Sequence, residues 1–530
     1  MLKIPDPPGF AASPDPLLQG STPPNERMHP TMPFPDPATG ELKIDPEIQL
    51  KAKGFDLTVS MFYSAAKPEI GMMGIGRSAS VFARLWDANG TIVTITRGDF
   101  GEQYYEPFVP EESGSGTVVT YVSSKNTGNV TSLTYDTEAD EYTEHFLSGM
   151  KMVYQEPYGG PANARRLGRV VDPSGNAQTY SYATFTYWDG TGDEEFRALR
   201  TIEVPGGNKV SFTYTVVWGQ PLVETIGDWS GREWTMRYDA NACLTTFTTP
   251  LGCVTKYGYS LAGAGAANTM LHTLEDSRGY VATYMYNARR QVVSLAAGTG
   301  VWSYSYNTNQ TVEYWPSGGR VTYAYGEAGN NVGTIRADGV PVTYSYNENR
   351  MKVKETTPAG TMMSVVYDAQ NRLSLSDDPL GNRTTYGYDV HSNVTTIQYP
   401  DSGIATFGYE GDGSTRRLVR HTDPLGRVTS WTYTTDGLVR TSTDPRGLVT
   451  TNNYDSQGNV VSVAYSDGGV ATMFYDLLNR MESSVDPINR RTTYTYDAAD
   501  HVVAVRNPLN RVTTYLYDGC LLQAEVDALG

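Results

Sequence analysis

Asp423-Pro424-Leu425-Gly426-Arg427-Val428-Thr429-Ser430-Trp431-Thr432-Tyr433 is the stretch whose reading decides the fold. Asp-Pro-x-Gly encodes a tight turn, because proline fixes φ and glycine takes a positive φ without steric cost. The run of Val, Thr, Trp and Tyr that follows has the composition of a strand. The unit returns as Asp486-Pro487-Ile488-Asn489-Arg490-Arg491-Thr492-Thr493-Tyr494-Thr495-Tyr496-Asp497. A second kind of turn reads Tyr454-Asp455-Ser456-Gln457-Gly458-Asn459. There the aspartate side chain is placed to accept from backbone N–H groups two residues on. A short strand, Val460 to Ala464, leads back to the next turn. One unit is therefore two strands and two turns, a β-hairpin.

Outward from this stretch the unit repeats. The second tyrosine of each Tyr-x-Tyr, or its substitute, stands at Tyr346, Tyr367, Tyr388, Tyr409, Tyr433, Tyr454, Tyr475, Tyr496 and Tyr517. The period is 21 residues, broken once by a spacing of 24 where Gly411-Asp412-Gly413 is inserted. Looser copies precede these at Tyr182, Tyr214, Tyr238, Tyr259, Tyr286, Tyr306 and Tyr325. Roughly fifteen units fill residues 165–530, and an array of this kind is stable where one hairpin is not. The tyrosines and the aspartates that follow them (Asp368, Asp389, Asp455, Asp476, Asp497, Asp518) are the repeat signature, and their expected role is structural. Spacing of two puts Thr492, Tyr494 and Tyr496 on one face, so tyrosines of successive units are expected to pack side by side.

The rest of the chain divides in two. Twelve of the 30 prolines fall in the first 46 residues, so residues 1–47 read as a Pro-rich arm or plug rather than sheet. Residues 48–164 read as irregular strands and hairpins. Candidate strands are Ile48–Lys53, Phe55–Tyr63, and Val81–Trp86 with Thr91–Thr96 about an Asn89-Gly90 turn.

The 530 residues carry a formal charge of −17 and no clustered Lys/Arg face, which argues against nucleic acid and anionic lipid as partners. No stretch approaches the length of an apolar membrane helix, so no membrane insertion is expected. Met1 to Phe10 lacks a basic region followed by an apolar one, so export by the Sec route is not expected. Cys243, Cys253 and Cys520 do not read as a disulfide framework or a zinc site, and Cys243 and Cys253 read as two separate half-buried thiols.

No catalytic motif is present: there is no HExxH, no Gly-x-Ser-x-Gly and no P-loop. The six histidines, His29, His145, His272, His391, His421 and His501, are scattered, and no cofactor is expected. Asp189, Asp193 and Glu195 lie in an acidic insertion between Tyr182 and Tyr214 and are the weak calcium candidates, with a solvated loop as the plainer reading. Trp188, Trp218, Trp302 and Trp315 break the repeat pattern and are the candidates for a binding surface.

The Tyr-x-Tyr-Asp and Asp-Pro-Leu-Gly units resemble YD/RHS repeats. That family includes bacterial Rhs polymorphic toxins, the B and C components of insecticidal toxin complexes, and the YD shell of teneurins. The match runs over residues 165–530. More weakly, Gly71 to Ser78 resembles the start of the shell in Rhs proteins, with Arg77 where the family carries a tryptophan. The resemblance implies an all-β fold: antiparallel hairpin repeats spiralling into a hollow, cocoon-like shell that holds an unfolded or inactive effector, with an N-terminal segment plugging one end. Two departures stand out. The family's autoproteolytic boundary motif is missing, and Asp444-Pro445-Arg446-Gly447-Leu448, which resembles its core, falls in repeat register and reads as a turn. The sequence stops inside a turn at Asp527 to Gly530 with no toxin domain after it, as expected of a short or split shell, or of a fragment.

The reading is thus a non-enzymatic shell that encloses or shields a cargo polypeptide, alone or with a companion shell subunit. It would be secreted or held at the cell surface by a non-Sec route, or cytoplasmic before export. The alternative is a secreted or surface binding module for a glycan or a protein.

Overall fold

The computed structural model describes residues 33–42, 47–87, 92–98, 102–107, 118–123, 131–157, 164–188, 190–261, 269–327, 329–518 and 520–528. Among these residues there is no α-helix; strands and turns account for the fold, apart from a short 3-10 turn at Ser80–Phe82. The chain builds three parts, each positioned by the one before it in space.

The first part is a small closed barrel. Strands Arg84–Asp87, Val93–Thr96, Glu102–Pro107, Val118–Ser123, Thr131–Asp136, Glu141–Phe146, Lys151–Pro157 and Ala164–Val171 pair antiparallel in chain order. The last returns to the first through Ala164↔Trp86, Arg165↔Leu85 and Arg166↔Arg84. Eight strands leave an interior that side chains just fill. Leu85, Ile95, Tyr105, Leu133, Tyr154 and Leu167 fill it here, around a fully buried Glu144. Arg97 Nη2 reaches Glu144 at 2.5 Å, and the hydroxyls of Tyr105 and Tyr154 donate to the same carboxylate at 2.7 and 3.3 Å. A buried carboxylate with a cation and two hydroxyl donors is satisfied; one without them would be strongly destabilising.

The second part unwinds from the barrel. Strand Ala164–Val171 splits its free edge: its first residues close the barrel, while Arg169 to Val171 pair with Thr179 to Ala177. From that junction thirty-two further strands follow one another as an unbroken antiparallel meander to Leu521–Val526. The ribbon coils back over itself. Turns of its early strands touch turns 243 to 268 residues later: Ser174 meets Arg417, Asn208 meets Gln457, Trp229 meets Leu477, and Arg232 meets Asp500. One revolution therefore takes roughly two dozen strands, which at ~4.8 Å each gives a circumference of ~115 Å. The contact is tight enough to require glycine at Gly437. Its φ is +82°, and a Cβ there would collide with the Ser174 side chain.

The third part is the N-terminal segment, which lies against the first revolution. Strands Glu47–Leu50, Leu57–Tyr63 and Arg77–Ala79 form a small sheet whose Leu57, Val59, Met61 and Tyr63 are buried. They share one core with the inner face of the ribbon as far as Tyr323. Downstream the picture changes: after Leu418, Ser483 is the only buried residue among those described. The first revolution is packed on the N-terminal segment as far as Tyr323, and the strands after Leu418 form a single sheet lined with half-exposed Val, Thr and Tyr.

Two expectations are corrected. Cys253 does not carry a free thiol: it is bonded to Cys520, with Cα atoms 6.1 Å apart and 267 residues between them, and Cys243 is the buried free thiol. The two bridged cysteines sit on turns of successive revolutions, a proximity set by the circumference of the coil. Trp302 and Trp315 are not surface residues but core, at 4% and 8% exposure, and Phe34 of the N-terminal segment packs edge-on against Trp302.

A bridge that closes so long a loop contributes typically ~2–4 kcal/mol. The paired variant Cys253→Ser/Cys520→Ser is expected to melt several degrees below the oxidised protein, and reductant should lower the wild type to the same point. A wild-type melting curve that reductant leaves unmoved would mean that the bridge does not hold the revolutions together.

Candidate functional site

The repeat signature forms a ladder along the coil. In thirteen units the tyrosine hydroxyl donates to a main-chain carbonyl on the preceding unit, in twelve of them 15 residues upstream. The distances run from 2.5 to 3.4 Å. The geometry has a local cause. Twelve of these strands slip register at the tyrosine, Tyr306 being the exception, as where Thr432 faces Thr441 but Tyr433 faces Val439, leaving Arg440 as the extra residue. Such a bulge disturbs the strand ladder and strengthens the twist. The carbonyl of Val439, beside the bulge, takes the hydroxyl of Tyr454 at 2.6 Å. Each tyrosine thus ties its own strand to the bulge of the unit before, and the contact is a hydroxyl bond where the sequence suggested ring packing.

The turns work as the sequence predicted. Oδ1 of Asp455 accepts from the N–H of Gln457 and Asn459, and Asp423 accepts likewise from Leu425 and Arg427. Asp368, Asp389, Asp476 and Asp497 repeat the pattern. Asn347 substitutes after Tyr346, and Thr434 after Tyr433. Asp518 instead pairs with Leu521. Asp444 also accepts from Arg446 and Leu448, so the stretch that resembles a cleavage motif is a repeat turn. The fourth turn residue takes positive φ, at Gly426 and Asn489 as expected, and also at Arg350 and Ser392.

The ladder is interrupted where the N-terminal segment meets it. Tyr259 does not reach back to a carbonyl as Tyr238 does; its hydroxyl accepts from Arg77 Nε at 3.0 Å. Arg77 is 1% exposed, and its guanidinium lies 4.2 Å from the ring centre of Tyr257 and 5.2 Å from that of Tyr63. The negative faces of the two rings attract the flat cation laid over them. Burial works against the charge, but the tyrosine oxygens outweigh it and hold the Arg77 pKa above its ordinary value. Around it the segment is bonded to the ribbon backbone: Leu271 N–H donates to Tyr63, Arg290 to the Ala65 carbonyl, and Ile75 N–H to Ala242. Lys53 also pairs with Asp436 of the second revolution at 2.7 Å.

The remaining candidates are dispersed. Asp193 and Glu195 are exposed on the long hairpin of Ala177–Trp188 and Asp193–Glu203, while Asp189 lies outside the described residues. No group of three or more metal-binding side chains occurs among the described residues. Trp188 and Trp218 stand at the tips of this and the next hairpin, 67% and 59% exposed. None of the described helices is long and apolar enough to cross a membrane.

A coiled antiparallel sheet of hairpin repeats, closed on a barrel and packed against an N-terminal segment, defines the class: a repeat-built β-shell. The family model described as RHS Repeat matches residues 367–404, 412–449, 433–470 and 475–511, so this part of the ribbon is built of RHS repeats. Among solved structures it is similar to the Photorhabdus luminescens Tc holotoxin pore, at 12% identity and a TM-score of 0.45 over 91% of this chain and 27% of that one. It is also similar to TcdB2-TccC3 without its hypervariable C-terminal region, at 12% identity and a TM-score of 0.47 over 92% and 27%. The N-terminal domain of effector protein SpvB from Salmonella typhimurium strain LT2 matches at 12% identity and a TM-score of 0.20 over 53% and 99%. The chain spans less than a third of the length of the two Tc chains. No curated protein matches it by sequence.

Two expectations follow for the ladder. Tyr433→Phe keeps the ring and loses one hydroxyl bond, which is expected to cost ~0.5–1.5 kcal/mol in thermal or denaturant unfolding; a neutral substitution would remove the bond from the account. Burial pushes the hydroxyls of Tyr388 and Tyr409 up to about 12. Their contribution is complete below the unfolded tyrosine value of about 10 and is lost as pH rises from there through the folded value. Unfolding midpoints should be level from pH 7 to 9 and fall between pH 10 and 12, with a smaller fall in Tyr388→Phe/Tyr409→Phe.

Proposed function

We propose that the chain is a non-catalytic shell that encloses or shields a polypeptide, either by itself or as one part of a larger shell. The observation that carries this reading is the contrast between the two revolutions. The early strands, as far as Tyr323, are packed against the chain's own N-terminal segment, whereas those after Leu418 have an inner face of half-exposed Val, Thr and Tyr with one buried residue among those described. A sheet with two open faces is an unusual use of apolar surface unless something is to lie against one of them. The described part of the Pro-rich arm, residues 33–42, acts as the plug: Pro33, Thr39 and Gly40 are bonded to Tyr284, Gln291 and Val292 of the ribbon, and Phe34 packs edge-on against Trp302. The cross-revolution disulfide suits an oxidising compartment, in keeping with export from a bacterial cell.

A second reading, a binding module, draws on Trp188 and Trp218. Two exposed indoles on adjacent protruding hairpins suit contact with a protein partner, including a companion shell subunit.

Electron microscopy of the purified chain, with its mass in solution, tests the shell. A hollow particle is expected, of one chain or of several around one cavity. An open curved sheet without a cavity would sink the shell reading and move the weight to the tryptophan surface, where Trp188→Ala/Trp218→Ala should then abolish partner capture.

A further inference from the structure

A cavity of about 420 Å³ lies where the three parts of the chain meet, between the N-terminal segment, the barrel and the first hairpins of the ribbon. Its wall inverts the charge of the molecule. The chain carries −17 in all, yet the cavity is lined by Lys67, Arg77, Arg84, Arg97 and Arg166 against two acids, Glu69 and Glu102. Arg97 is balanced by Glu144 at 2.5 Å, and Lys67, loosely, by Glu102 at 3.9 Å. Arg77 is not. It is fully buried, its Nε is given to a tyrosine hydroxyl, its plane faces tyrosine rings, and its Nη2 has no hydrogen-bond partner. A buried guanidinium nitrogen left without an acceptor is costly, and such a group is retained where an anion supplies the missing contact. The rigid N–H fork of arginine matches the paired oxygens of carboxylate and phosphate.

We infer that this cavity is an oxyanion site, with Arg77 as its buried anchor and Arg84 and Arg166 completing the positive wall. Lys67 and Glu102, each more than a third exposed, mark the side on which it meets solvent. The oxygens come either from a free anion such as inorganic phosphate or from carboxylates of an acidic peptide segment held against the inner wall. The inference does not depend on the shell reading, since the cavity is formed by the barrel and the N-terminal segment whether or not the second revolution encloses anything.

The test is calorimetric titration of the full chain, at fixed ionic strength, with inorganic phosphate and separately with a glutamate-rich hexapeptide, using sodium chloride as the reference. Saturable binding of either probe is expected. Phosphate binding identifies a free-anion site, and peptide binding without phosphate binding identifies a carboxylate site. Arg77→Met is expected to weaken binding at least tenfold and Arg84→Gln about threefold, while Arg506→Gln, on the second revolution, leaves it unchanged. Arg84 is exposed, so its variant reports even if Arg77→Met fails to fold. Heats indistinguishable from chloride for both probes, or Arg84→Gln and Arg77→Met binding as the wild type does, would overturn the site. A hollow particle that binds neither probe would do so while leaving the shell intact.

Discussion

A hydroxyl donated to a carbonyl across a bulge is the contact on which this architecture turns. A plain antiparallel meander satisfies its own backbone and has no reason to repeat any particular curvature. Once each unit carries a bulge, the strand twists more strongly and a main-chain carbonyl beside the extra residue is left needing a donor. The tyrosine of the following unit supplies it, as Tyr454 does for Val439. Because the same donor meets the same carbonyl in thirteen units, each of those hairpins is tied to its predecessor in the same way. That repeated tie, summed over two dozen strands, is what brings the ribbon back onto itself.

From that curvature the other features follow. Turns that would be solvent loops in an open sheet become the surfaces on which successive revolutions rest. They therefore carry interactions that local turn chemistry does not demand, such as Gly437 against Ser174, Arg232 on Asp500 and the bridge between Cys253 and Cys520. The N-terminal segment in turn replaces part of the ladder. Where Arg77 claims the hydroxyl of Tyr259, the regular bond gives way to a contact between the segment and the wall.

Much of this could be read from the sequence because it is local. Asp-Pro-x-Gly and Tyr-Asp-x-x-Gly are turn instructions complete within five residues, and the 21-residue recurrence made the hairpin unit plain. The partner of the tyrosine hydroxyl was harder to see. Its signal was present, since an apolar or polar strand residue stands 15 positions before each signature tyrosine, but nothing in alternation of side chains points to a main-chain acceptor. The pairing of Cys253 with Cys520 and the burial of Trp302 were out of reach for a different reason. Both depend on the circumference of the coil and on where the N-terminal segment lies, which are sums over many units rather than properties of any one. Arg77 stood out as a departure from a family pattern, yet its company of three tyrosines became visible only when Tyr63, Tyr257 and Tyr259 were brought together by the fold.

The stacking of turn on turn also sets a rule for how such a chain can change length. A hairpin occupies about 9.6 Å along the coil, two strand spacings. Duplicating one unit inside the first revolution would move every later turn by that distance relative to the turns beneath, setting Asp500 away from Arg232 and Cys520 away from Cys253 at a stroke. The same duplication placed downstream of those contacts would disturb none of them. Repeat number is thus held fixed between any two turns that touch, in the manner of teeth on a gear.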